Sequence, residues 1–133
     1  MLTRFVLARA YSTAAARWEE VGPPTYRVVQ SRRCFCVPEV TRPVVVTVGS
    51  AGVSRTYQGS GLPVPAHWQP LFPTIAGMFE LIEEAIDDGV HLLEARYDPG
   101  TGAPPEGYID RDERIIDEEV RYILSLPEPL PAT

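Results

Sequence analysis

The sequence predicts an α+β domain, an antiparallel sheet of about five or six strands with two helices packed on one face. Three observations carry this. Two stretches, 3–20 and 74–88, place apolar residues at helical spacing. Around them lie runs of alternating or β-branched residues. And 14 prolines and 10 glycines cut the 133-residue chain into short elements, since both residues punctuate regular structure. A chain of this length fits one domain, 1–133, and buries enough surface to fold without staples.

In order, Leu7, Tyr11, Ala14 and Trp18 recur at i, i+4, i+7 and i+11, one face of a helix. Gly22-Pro23-Pro24 stops it, because proline disfavours helical geometry in the residue before it. Trp18 is expected to be its main anchor in the core. Tyr26–Arg33 alternates weakly and reads as a strand that Cys34-Phe35-Cys36 continues. Pro38 and Pro43 bracket a loop or edge crossing, because proline cannot donate to a ladder. Val44–Val48 is β-branched at every position and pairs with Val53–Tyr57 across a Gly49–Gly52 loop as a hairpin. Residues 58–73 form a long Gly/Pro-rich loop whose second half packs down through Trp68, Leu71 and Phe72.

Thr74 then supplies an N-cap, and Ile75, Met78, Phe79, Ile82, Ala85 and Ile86 an apolar stripe. Gly89 stands where a left-handed residue ends a helix. Three strands follow: His91–Tyr97, a short one at Tyr108–Asp110, and Val120–Leu126 with Val120, Tyr122, Leu124 and Leu126 on one face. The Pro-rich tail 127–133 ends regular structure. The element order helix, three strands, helix, three strands suggests a duplicated α-β-β-β plan.

Charge bounds the partners. The formal net charge is −6, and all 12 basic residues are Arg. An acidic chain without a basic run repels phosphate backbones, which argues against nucleic acid. No apolar run approaches the ~20 residues that span a bilayer. At the N-terminus Arg9 interrupts the apolar run Phe5–Ala8, so no convincing signal peptide is read there. The chain reads as a monomer.

Chemistry-bearing residues are few. Cys34 and Cys36, at i and i+2, face the same side of a strand. They read as free thiols, as a local disulfide, or as half of a metal site. Zinc wants four ligands, and His67 and His91 are not at motif spacing, so no metal site is expected. The carboxylates Asp98, Asp110, Asp112, Asp117, Glu118 and Glu119 cluster late in the chain. Asp110-x-Asp112 resembles the start of a calcium loop, but the sixth and twelfth positions are Ile115 and Arg121 where Gly and Glu are required. Gly59-Ser60-Gly61 has no neighbouring His, and no G-x-S-x-G, G-x-G-x-x-G or phosphate-loop motif occurs. Asp98-Pro99-Gly100-Thr101-Gly102 is read as a structural turn, with Asp98 accepting backbone hydrogen bonds, Pro99 fixing φ and Gly102 free to take positive φ.

Several marks occur together: Trp18, Tyr26, Cys34-Phe35-Cys36, Val44-x-Val46-x-Val48, Thr74-Ile75 with Phe79, Tyr97-Asp98-Pro99 with Gly102 and Pro104, Ile109-Asp110, and Asp117-Glu118-Glu119 before Tyr122. Over about residues 14–126 this resembles an uncharacterised family of small secreted or lipid-anchored bacterial proteins, known only as a domain of unknown function. The resemblance implies an α+β domain and export; it implies no activity. The chain departs from it in lacking a leader and a lipid-attachment Cys. Ala103 also replaces the aromatic residue that usually precedes the proline, which predicts a looser turn.

The reading that results is a non-catalytic interaction or ligand-binding module. Its partner is a protein or small molecule, no cofactor is expected, and Trp68, His67, Tyr97 and Tyr108 are the candidate binding residues. The alternative is a hydrolase using the acidic cluster and His67. A concave apolar pocket joined to His67 and a carboxylate separates the second from the first.

Overall fold

A computed structural model describes residues 2–115 and 118–131. The fold is α+β, an antiparallel sheet with helices. Its elements are α1 (Leu2–Val21), β1 (Tyr26–Arg33), α2 (Pro38–Thr41), β2 (Val44–Gly49), β3 (Gly52–Tyr57), a 3₁₀ turn (Ala66–Leu71), α3 (Ile75–Asp88), β4 (Leu92–Arg96), β5 (Glu106–Asp110), β6 (Val120–Leu124) and β7 (Glu128–Pro129). The strand order is β3-β2-β1-β6-β5-β4, with β7 also paired to β1. None of the described helices is long and apolar enough to cross a membrane.

Each half of the chain forms one three-stranded meander of the sheet. The first three strands run from the centre of the sheet to one edge; the last three run from the other edge back to the centre. Both halves therefore step across the sheet in the same direction, but the central pair β1–β6 is antiparallel, so corresponding strands of the two halves run in opposite senses. The halves meet at a seam where Gln30 pairs with Leu124 and Arg32 with Tyr122.

One face of the sheet is covered. Val28, Val44, Val46, Leu93, Ile109, Tyr122 and Leu124 point into a core shared with Phe72 and the buried stripe of α3. The α3 helix is well specified locally. Thr74 Oγ1 accepts from Gly77 N at 3.1 Å, and Gly89 closes the helix at φ 62°. Its first backbone N–H, at Ile75, donates to the Tyr26 hydroxyl at 3.0 Å, tying the helix start to β1. Gly107 on β5 leaves room for the Met78 side chain. The buried amide of Gln30 donates to the Pro73 carbonyl at 2.9 Å and anchors the end of the long loop on the seam.

The α1 helix is seated differently. It packs chiefly against α3 and against the turn between β4 and β5. It touches the sheet through Trp18, which stands edge-on to Tyr26 at 5.4 Å. Trp18 is only half-buried, so it is not the main anchor. Ala14 is the fully buried residue of that stripe, because a methyl side chain lets the turn backbone come close.

Other boundaries shift for local reasons. The first strand stops at Arg33, so Cys34–Cys36 lie beyond it. Pro38 starts a single helical turn that buries Val40. The hairpin loop is tighter than expected, since Gly49 pairs with Gly52 and leaves only Ser50 and Ala51 between. The long loop carries a Thr56–Pro63 bridge and the 3₁₀ turn, and buries Val64 and Phe72, while Trp68 and Leu71 are half-buried. The apolar face of β6 ends at Leu124, leaving Leu126 exposed. The Pro-rich tail is not irregular throughout, because Glu128–Pro129 pairs with Tyr26–Arg27.

Candidate functional site

The turn after β4 is built from its own residues. Asp98 Oδ2 accepts from the Thr101 N–H at 2.9 Å and the Thr101 hydroxyl at 3.1 Å. The Gly102 N–H donates to the Asp98 carbonyl at 2.7 Å, and the Asp98 N–H to the Ala103 carbonyl at 2.8 Å. Gly102 sits at φ 85°, a conformation other residues rarely adopt. It also lies so close to α1 that a Cβ there would collide with the Ala14 carbonyl oxygen. Arg17 Nε completes the clamp by donating to the Gly100 carbonyl at 3.1 Å. Ala103 is buried, and the turn is held tightly against α1 rather than loosely.

Where α1 leaves this turn, an open trough of about 710 Å³ runs along the helix. Its α1 wall is Phe5, Val6, Arg9, Ala10, Thr13, Ala14 and Arg17; its other wall is Tyr97, Asp98, Pro99 and Gly102. Val6, Ala10, Thr13 and Arg17 fall at i, i+4, i+7 and i+11, a second stripe beside the one that packs inward. Beside its covered face the helix thus presents the small or apolar side chains of Val6, Ala10 and Thr13, bordered by Phe5, Arg9 and Arg17. Phe5 is 70% and Val6 56% exposed. Tyr97 closes the foot of the trough and stacks on Phe79, ring centroids 6.2 Å apart. Burial pushes its phenol up to about 12, so it is a neutral hydrogen-bonding group at neutral pH and not a base. The lining includes no His, Cys or Ser. Its one carboxylate is engaged by the turn. The trough can hold an apolar molecule and offers two guanidinium groups at its margins.

The remaining candidate residues lie apart. His67 and Trp68 sit on the 3₁₀ turn with rings 4.6 Å apart; His67 is exposed, and neither lines the trough. Tyr108 is on the uncovered sheet face, under the Arg121 guanidinium at 4.6 Å, within a ladder of ion pairs formed by Arg96, Glu106, Arg121 and Glu94. His67 lies away from the trough and its Asp98 carboxylate. Phe5, Val6 and Ala10 were outside the sequence-derived site; the signal for Val6 and Ala10 was the second helical stripe.

The acidic cluster has its own internal logic. Asp110 is raised above its ordinary carboxylate value, first by its side-chain interaction with Glu118, then through desolvation and the Glu118 charge. Glu118 lies below its usual range, chiefly because it accepts from the Asp112 N–H at 2.9 Å. Asp112 is gripped by Arg114, and His91 faces Glu113 at 3.6 Å. Asp117 lies outside the described residues. Among the described residues no group of three His, Cys, Asp or Glu is placed to hold a metal ion.

A disulfide links Cys34 to Cys36 just past β1. Cys34 is half-buried and Cys36 exposed.

A family model described as a family of unknown function (DUF6174) matches residues 10–129. No curated protein and no solved structure matches the chain.

Proposed function

Because the chain belongs to this family of unknown function, we propose from its own surface that it is a non-catalytic binding module whose site is the trough between α1 and the Tyr97–Gly102 turn. The observation that supports this is the uncovered second stripe of α1. Apolar side chains left in water on a helix whose other face is already packed mark an interaction surface. Ligand sites are characteristically concave, mostly apolar and set with a few polar groups that orient the ligand. Here the apolar floor is Phe5, Val6, Ala10 and Thr13, and the orienting groups are Arg9 and the neutral Tyr97 hydroxyl. Arg17 is partly committed to Gly100.

That pattern suits an amphiphilic anion, a chain or fused ring carrying a carboxylate or sulfonate. A single chain of one domain, acting as a monomer, suffices for it. Nucleic acid does not suit it, since the trough is apolar and the chain is acidic. Of the four residues inferred from sequence, Tyr97 alone belongs to this site. Trp68, His67 and Tyr108 do not line it.

The test uses anilinonaphthalene sulfonate, an apolar anion that fluoresces when shielded from water, and competition by dodecanoate. Thr13→Trp fills the trough without touching the inward stripe. It is expected to weaken binding of both by about tenfold, or about 1.4 kcal/mol. Arg9→Glu is expected to weaken both anions while leaving a neutral naphthylamine probe unaffected. Equal affinity of parent and Thr13→Trp for all probes places the site elsewhere.

A further inference from the structure

We propose that the Cys34–Cys36 bridge is a reversible thiol–disulfide exchange site that oxidises a dithiol carried on an extended, apolar-flanked peptide. Three observations carry this independently of the trough. The bridge spans a sequence separation of only 2 and lies beyond the last ladder residue of β1. A loop so short restricts the unfolded chain least, so the bridge contributes little to holding the sheet together. A bridge that is exposed and structurally dispensable belongs to the labile class of disulfides.

The two sulfurs are also unequal. Cys36 is exposed and Cys34 half-buried against the core. An incoming thiolate reaches Cys36 first, which leaves Cys34 as the departing sulfur. Finally, Phe35 between them is 82% exposed and Val37 beside them 47%. A structural bridge has no need of an aromatic side chain held out in water. A site that receives a peptide does, because apolar area next to the reacting sulfurs gives the substrate something to pack on.

The exchange balances as follows. A substrate thiolate attacks Cys36 Sγ, forming a mixed disulfide while the Cys34–Cys36 bond breaks. Cys34 leaves as a thiolate and takes a proton. The second substrate thiolate attacks the substrate's own sulfur in the mixed disulfide, closing the substrate disulfide and releasing Cys36 as a thiolate that is protonated in turn. Two electrons and two protons pass from the dithiol to the protein.

The experiment equilibrates the purified oxidised protein with glutathione redox buffers, and separately with a synthetic dithiol peptide flanked by Leu and Phe. Thiols are trapped by alkylation and weighed by mass spectrometry. The bridge is expected to open within the range of the buffers with unchanged far-ultraviolet circular dichroism. With oxidised glutathione, which releases one glutathione thiolate, a mixed disulfide should form on Cys36 in Cys34→Ser roughly tenfold faster than on Cys34 in Cys36→Ser. Phe35→Ala should slow exchange with the peptide and leave the glutathione equilibrium unmoved. Resistance to every buffer, loss of fold on reduction, or equal rates at the two sulfurs overturns the proposal. So does a Phe35→Ala variant that reacts with the peptide as fast as the parent.

Discussion

Helices α3 and α1 pack against each other and are built by opposite means. Helix α3 has a side-chain cap at its start, a left-handed glycine at its end and one apolar stripe, all of it buried. Helix α1 is longer, and beside its covered stripe it leaves a second, partly apolar one uncovered. The first helix is finished by the fold. The second is held by a neighbouring turn and leaves apolar surface over. The contrast separates residues that make the structure from residues that remain available to a ligand, even though both kinds are hydrophobic and helically spaced.

The largest expected effect tests the finished helix. Phe79 lies between Tyr11 of α1 and Tyr97, at 6.0 and 6.2 Å. Phe79→Ala should cost ~3–5 kcal/mol in urea unfolding. A loss below about 1 kcal/mol would make α3 as loosely held as α1 and end the contrast.

Next is the clamp. Gly102→Ala forces a Cβ into the Ala14 carbonyl and strains a positive φ. It should cost about 1–3 kcal/mol by overpacking and reduce probe binding, since the turn wall moves. If stability falls while binding is untouched, the trough is not formed by the turn.

Asp98→Ala removes the two bonds to Thr101 and should cost ~1 kcal/mol, a few degrees in Tm. Anion binding should persist. An unchanged Tm with lost binding would make Asp98 a ligand residue instead.

The smallest effect lies off both helices and serves as a control. The Arg121 guanidinium holds the Glu106 carboxyl below its usual value of 4.5. A depressed carboxyl contributes stability that is present above its unfolded pKa and fades as pH falls through its folded pKa. Tm should therefore decline below about pH 4.5. Arg121→Gln should shallow that decline slightly, because the pair is partly exposed and screened. A flat profile in the parent removes the ladder from the acid response.

How legible each region was follows from the range of its signals. Helix α3 could be read almost to the residue because Thr74, its stripe and Gly89 act within a few positions of one another. The Asp98 turn is local in the same way. The role of α1 was only half legible. Spacing shows which residues share a face, but not that the Asp98 turn covers one stripe and stops short of Phe5 and Val6. Trp18 was over-weighted for the same reason, since the small Ala14, not the large aromatic, permits close approach. The joining of the two meanders was invisible too, because strand order depends on contacts such as Gln30 with Leu124, far apart in the chain.

That long-range joining has a kinetic consequence. Each meander of three strands can form from near neighbours, but the sheet is complete only when β6 reaches β1 across some ninety intervening residues. Until then β1, rich in unpaired backbone groups, is an open edge. Assembly from such distant partners is slow, because the loop must close before the pairing rewards it. The seam is therefore where an unfinished chain is most exposed to pairing with another copy, and substitutions at Gln30 or Leu124 should show first as aggregation during refolding.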